Sequence, residues 1–309
     1  MAKYRILSLD GGGLRGLITV RLLQQLEGSP SIAGWLDQVD LVAGTSTGGI
    51  IALGLAAGRS LEDMGELYLE RGPKIFDDTV LDDVLDLGQL VGAQYSSRAL
   101  RRELRALFGN RTLRGLRRKV AIPAFDLDYR GDDGRYWKPK IFHNFAGLGT
   151  DKDMAVARVA LYTAAAPTYF PSVDGFVDGG VFANNPSMIA LSQAISQKNR
   201  ASERASIDDI VLLSVGTGQS HKYIRGQKVD WGYAQWARPL VEILMDGVAG
   251  ISDYQCRQIL QQRYHRLQVI FDDDEPIGLD DVARLPRMDQ IGREHSVAAT
   301  RRWIADHWL

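Results

Sequence analysis

The sequence predicts an α/β protein built on a central, mostly parallel sheet flanked by helices. Three observations predict it. Strand-like and helix-like hydrophobic patterns alternate from the first residues onward, as parallel strands joined by crossover helices require. Glycine clusters stand where strands hand over to helices, at residues 11–16 and 44–49. The composition, 45% hydrophobic and 24% charged over 309 residues, suits a chain that buries a large core without staples.

Tyr4 to Leu9 reads as a buried strand, followed by glycines and a helix from about Leu14 to Glu27. Val39 to Ala43 is a second strand. The run Ile50 to Ala57 is apolar on every face, which predicts a helix buried in the middle of the fold. Ser60, with Asp63 three residues on, has the spacing of a helix cap. The aspartate-rich stretch from Gly72 to Tyr95 reads as a surface connection, with a flap over a site as the alternative. A helix follows in which Arg98, Arg101, Arg102 and Arg105 share one face, opposite Leu100, Leu104, Leu107 and Phe108. Strands return at Val120 to Asp128 and Tyr136 to Phe145, joined through the hairpin Gly131 to Gly134. A helix from Asp153 to Ala166 stops at Pro167. Phe176 and Val177 lead into Asp178, and Ile210 to Val215 is another buried strand. The last ninety or so residues mix helix with one strand near Leu267 to Phe271. With no repeat and no low-complexity linker, residues 1–309 read as one domain: a motif-bearing core over about 4–218, with 219–309 packed on the same fold.

Charge and cysteine content narrow the function classes. The 37 basic and 38 acidic side chains leave a net charge of −1, which weighs against a nucleic-acid polymer as partner. The lone Cys256 excludes a disulfide framework and fits a reducing compartment. The opening residues lack a secretory signal. Apolar runs fall short of the ~18–20 residues that span a bilayer. The expectation is a cytoplasmic protein whose membrane contact, if any, is peripheral on the inner face.

The sharpest chemical signal is Gly44-Thr45-Ser46-Thr47-Gly48, a G-x-S-x-G between a predicted strand and a buried helix. A serine on so tight a turn projects its hydroxyl from the sheet edge, and the glycines let the two backbones approach. The positive end of the following helix favours negative charge there. The second signal is Asp10-Gly11-Gly12-Gly13-Leu14-Arg15-Gly16. Its glycines also satisfy G-x-G-x-x-G, but a dinucleotide site needs an acidic residue at the end of the second strand, and Asp37 and Asp40 come before it or at its start. The better reading is an oxyanion loop, with glycine N–H groups aimed at a tetrahedral oxygen. Arg15 then braces the loop or meets an anionic substrate, unless it is an ordinary helix-face arginine. Asp178-Gly179-Gly180 alone is a turn; beside the other two signals Asp178 becomes a candidate base.

With these blocks the sequence resembles the patatin-like phospholipases, a family of serine acyl hydrolases. Ala164 to Pro171, Asn184-Asn185-Pro186 and Ser214 to Gly218 also look like family sequence, and the resemblance covers about the first 220 residues in order. It implies a patatin-like three-layer sandwich and a Ser–Asp dyad. Ser46 is then the nucleophile, Asp178 the base, and Gly11, Gly12 and Gly13 the oxyanion loop. A phospholipid or other lipid ester is the implied substrate. The motifs that carry the resemblance leave out residues 72–118 and the C-terminal part. An aspartate is a weak base, so it must be partly desolvated, and the oxyanion donors must carry more of the acceleration, on the order of 10²–10³ each.

The competing readings are a Ser-His-Asp esterase, an acyltransferase on the same architecture, and a lipid-binding protein without turnover. A triad would draw on His143, His221, His265, His295 or His307; in the α/β-hydrolase order the last two qualify, yet both fall in helical patterns. No metal or cofactor is expected. Asp126 to Gly131 begins like a calcium loop, but Arg130 and Trp137 stand where oxygen donors are needed, and Asp272 to Glu275 reads as a solvated acidic turn. Asp77, Asp78, Asp82, Asp83 and Asp86 precede the basic helix, and Arg111, Arg114, Arg117, Arg118 and Lys119 follow it. The basic stretch is either a solvated face or a docking surface for anionic headgroups, or a site for a nucleotide or other anionic activator. Some bacterial patatin-like enzymes are nucleotide-activated antiviral effectors. Trp303, Ile304 and Trp308 read as core packing first.

Overall fold

Strands form at β1 (Tyr4–Leu9), β2 (Leu41–Gly44), β3 (Lys119–Gly131), β4 (Gly134–His143), β5 (Phe176–Asp178), β6 (Ile210–Val215), β7 (Gln219–Ser220), β8 (Tyr264–Leu267) and β9 (Ile270–Phe271). Helices form at α1 (Gly16–Glu27), α2 (Thr47–Ala56), α3 (Leu61–Glu66), α4 (Gly72–Ile75), α5 (Ser97–Phe108), α6 (Val156–Thr163), α7 (Gly180–Ala183), α8 (Ser187–Ala194), α9 (Tyr233–Leu260), α10 (Leu285–Glu294) and α11 (Ala298–Trp303). The computed structural model describes residues 3–76, 93–220, 224, 230–272 and 275–309. His221, the aspartates at 77, 78, 82, 83 and 86, and positions 273–274 of the acidic turn lie outside the described residues.

The main sheet runs β4-β3-β2-β1-β6-β8, with β5 also paired to β3. From β3 to β8 the pairings along this path are parallel; β4 and β5 lie antiparallel to β3. Alternation along β1 explains the layers. Leu7 and Leu9 belong to the core beneath α1 and α2, whereas Ile6 belongs to a second core shared with Leu191 of α8 and Cys256 and Leu260 of α9, as a period of two dictates. The fold is therefore the expected helix–sheet–helix sandwich. Strand β8, from the C-terminal part, is a member of the same sheet. Trp303, Ile304 and Trp308 are buried, and the Trp308 indole N–H donates to Trp35 O at 3.0 Å.

Register brings the loops together. Leu9 lies level with Gly44 of β2 and with Val215 of β6, and Val215 with Leu267 of β8. The chain thus leaves these parallel strands along one edge, where open α/β sheets hold their ligands. Strand β3 outruns its neighbour: β2 pairs with it only as far as Ala121, and β4 occupies its other flank. Where β2 turns away, β5 takes its place beside β3, antiparallel, with Asp178 opposite Ala124. The carboxyl ends of β2 and β5 therefore face each other.

Most differences from the sequence reading are boundary shifts with local causes. Helix α6 stops at Thr163, and just beyond it Ala165 O accepts the Asp178 N–H at 2.9 Å, which ties the chain to β5. The single late strand is two, β8 and β9, divided where Gln268 turns its side chain to accept the Gly218 N–H at 3.2 Å. The capping box at Ser60 and Asp63 is present.

Candidate active site

Ser46 stands between β2 and α2 with φ 54° and ψ −123°, a backbone region that a non-glycine residue occupies only when its surroundings enforce it. Four hydrogen bonds enforce it. The Ser46 N–H donates to Thr163 Oγ1 (3.0 Å), whose own hydroxyl donates to Pro123 O (2.6 Å). Next to it, Thr45 Oγ1 donates to Ala183 O at 2.6 Å. The Thr47 hydroxyl pairs with the buried Tyr68 hydroxyl. A Cβ on Gly44 would overlap the Gly48 carbonyl, and one on Gly48 would overlap the Leu9 carbonyl, so both glycines are needed for close approach of strand and helix.

Asp178 meets this serine from the end of β5. Ser46 is 9% exposed and Asp178 4%, and the serine hydroxyl lies close enough to the carboxyl to oppose the rise in its pKa. Asp178 Oδ1 also accepts the Gly180 N–H at 2.7 Å. Burial pushes the Asp178 pKa up to about 7, against the opposing pull of those two donors. Such a carboxyl exchanges its proton near neutral pH, the range in which general acid–base groups are most effective.

The glycine loop after β1 is pinned from several sides. Thr217 Oγ1 donates to Gly11 O at 2.9 Å, and the Leu14 N–H donates to Leu279 O at 2.7 Å. The Gly11 N–H donates to Asn184 O at 3.0 Å, which corrects the expectation of three oxyanion donors: Gly11 spends its proton inside the protein. Gly12 and Gly13, the latter at φ 58°, keep N–H groups with no protein acceptor among the described residues. Asp10 faces away into a buried pair, its two oxygens 2.8 Å and 2.5 Å from the Arg266 guanidinium, which also donates to Ser214 Oγ at 2.7 Å. Burial raises the Asp10 pKa, and the arginine opposes that shift. Arg15 is half-buried, its guanidinium 5.9 Å from the Phe271 ring centre.

Sequence reasoning gave no roles to Thr163, Asn184, Thr217, Arg266 and Leu279. Asn184 and Thr217 sit in blocks already singled out, whereas Arg266 is one arginine on a short strand. Three of the four described histidines interact elsewhere: His143 with Asp151 and Lys140, His265 with Thr300 and Trp303, and His307 with Trp303; the main-chain carbonyl of the fourth, His295, accepts from Gln25 Nε2 at 3.1 Å. Along α5, Leu100, Leu104 and Phe108 are buried, and part of the basic stretch is spent on ion pairs, Arg102 with Glu103 and Arg114 with Asp153. Arg111 and Arg118 donate to main-chain carbonyls. Among the described residues, no group of three or more His, Cys, Asp or Glu side chains could hold a metal ion, and no helix is long and apolar enough to cross a membrane.

The sequence model for patatin-like phospholipases matches residues 7–191, more than half the chain. The chain belongs to the patatin-like phospholipase family. As a patatin-like phospholipase it is a lipid ester hydrolase. It is 32% identical to a cGAMP-activated phospholipase of Pseudomonas aeruginosa over 92% of this chain and 83% of that one. It is 30% identical to patatin-like protein 1 of Oryza sativa subsp. indica, over 84% and 71%. The crystal structure of VipD from Legionella pneumophila aligns with 99% of this phospholipase and 67% of its own chain, with 12% identity and a TM-score of 0.42.

Proposed function

We propose that this patatin-like phospholipase cleaves the acyl ester of a phospholipid or lysophospholipid through Ser46, with Asp178 as base and an acyl-enzyme as intermediate. The observation that carries the reading is the meeting of the Ser46 hydroxyl with the buried Asp178 carboxyl at the sheet edge. Asp178 takes the serine proton as Oγ attacks the ester carbonyl. The unclaimed N–H groups of Gly12 and Gly13, beside the amino end of α2, receive the negative oxygen. Collapse expels the lysolipid or alcohol with the proton returned from Asp178, and water then releases the fatty acid. Incubation with mixed phospholipids, followed by mass spectrometry, is expected to yield free fatty acid and lysophospholipid. Acyl groups on an acceptor other than water identify an acyltransferase instead, and no turnover a lipid-binding protein.

The base must be ionised, and its pKa is pushed up to about 7. The expected kcat/KM therefore climbs about tenfold per pH unit below 7 and levels off above it. A rate already flat at pH 5 overturns Asp178 as the base.

The enzyme works in the cytoplasm, touching the inner membrane face from one side. Leu240, Ile243, Leu244, Ile251 and Tyr254 of α9 are exposed apolar side chains that support contact with lipid. A nucleotide or other anionic activator is also proposed, supported by the cGAMP-activated relative and by the basic face of α5.

A further inference from the structure

Asn184 closes α7, six residues after Asp178. Its main-chain carbonyl holds Gly11, as described above, but its side chain has no such duty. The residue is 8% exposed, and its carboxamide oxygen has no hydrogen-bond partner among the described residues. A buried acceptor left unpaired forfeits its hydration with nothing in return, so proteins seldom keep one without use. The neighbouring Asn185 differs at its oxygen: Oδ1 accepts from the N–H and the hydroxyl of Ser187, at 3.0 Å and 2.6 Å, while its Nδ2 has no partner among the described residues.

Glycine positions locate the unpaired oxygen. A Cβ on Gly11 would overlap Asn184 Oδ1 and lie 3.3 Å from Ser46 Cβ. A Cβ on Gly180 would lie 3.5 Å from Asn184 Oδ1 and 3.2 Å from Asp178 Oδ1. Asn184 Oδ1 therefore sits among the oxyanion loop, the serine and the carboxyl.

The chemistry says which donor it awaits. In acylation the one mobile proton, that of Ser46, already has Asp178 as acceptor, and an ester carbonyl offers no donor. Deacylation brings in water with two O–H groups, of which Asp178 takes one. We infer that Asn184 is a catalytic residue of the second half-reaction, its Oδ1 accepting the hydrogen that water keeps while Asp178 removes the other. This rests on the Ser46–Asp178 reading. The water oxygen bonds to the acyl carbon, its transferred proton goes to Asp178, and negative charge falls on the carbonyl oxygen. Collapse then breaks the bond from carbon to Ser46 Oγ, the proton passes from Asp178 to Oγ, and the fatty acid leaves.

Methanol separates this role from a structural one, because it carries a single O–H and needs no second acceptor. With a short-chain p-nitrophenyl ester in buffered methanol, Asn184→Ala is expected to raise the ratio of methyl ester to free acid at least tenfold, with acylated Ser46 accumulating in the intact mass. Asn184→Asp keeps an oxygen acceptor and leaves the ratio near that of the native enzyme. Asn184→Leu, closer in volume, replaces the alanine variant if that one fails to fold. A ratio unmoved by Asn184→Ala or Asn184→Leu overturns the inference, since a structural defect slows both acceptors alike. Full turnover by Ser46→Ala instead overturns the dyad reading, a separate outcome.

Discussion

Replacing Ser46 by alanine is expected to lower kcat/KM toward a lipid ester by about 10⁴-fold or more, with the fold intact. The side chain is small, and the backbone bonds that hold its position, to Thr163 and from Ile50, do not involve the hydroxyl. Asp178→Asn is expected to lose a similar factor, because an amide of the same shape accepts no proton. Residual turnover reports what the glycine amides achieve alone. The five histidines, changed singly to asparagine, are expected to retain turnover; a loss at any of them matching that of Ser46→Ala overturns the dyad. Asp178→Asn also has a stability signature whose sign follows from the raised pKa. Aspartate in an unfolded chain titrates near ~3.9, so the fold favours the protonated acid. The contribution is fully present below the unfolded value and is lost as pH rises through about 7. The asparagine variant is therefore expected to gain stability over the native protein at pH 8 and to lose that advantage at pH 4, measured by urea unfolding at both.

The second large effect lies away from the chemistry. Arg266→Met is expected to cost about 3–5 kcal/mol of unfolding free energy at neutral pH, the usual result of stranding one member of a buried ion pair. Arg266 is 9% exposed and Asp10 3%, so neither charge can turn to water. Without the guanidinium the main opposition to burial is gone, the Asp10 pKa rises further and the acid neutralises. The loss is therefore expected to shrink at low pH, where an uncharged Asp10 needs no partner. Asp10→Asn in the same chain is expected to recover part of it. A loss under about 1 kcal/mol, or one equal at pH 4 and pH 8, contradicts the ion-pair account.

Local chemistry made much of this legible in the sequence. The G-x-S-x-G turn reads as an elbow because close backbone approach and an exposed hydroxyl leave few residue choices at 44, 46 and 48. The wholly apolar run after Ser46 reads as a buried helix because only a central position tolerates it. Long-range partners were not legible. Arg266 meets Asp10 only because β8 lies beside β6, which lies beside β1, and no local pattern encodes that order. The Gly11 amide could not be told from its two neighbours, since its acceptor is a main-chain carbonyl 173 positions away in the numbering. The role of Asn184 was hidden for a similar reason: it rests on a missing partner, which only three-dimensional surroundings reveal.

The clamps on the glycine loop carry a consequence for synthesis. The loop follows the first strand, yet two of its supports, the Arg266 side chain behind Asp10 and the Leu279 carbonyl on Leu14, come from late in the chain. A polypeptide growing on the ribosome presents Ser46 long before the amides of the glycine loop have a fixed aim. The loop is thus expected to gain its fixed aim only once residues 266 to 279 have been made and have folded back onto it.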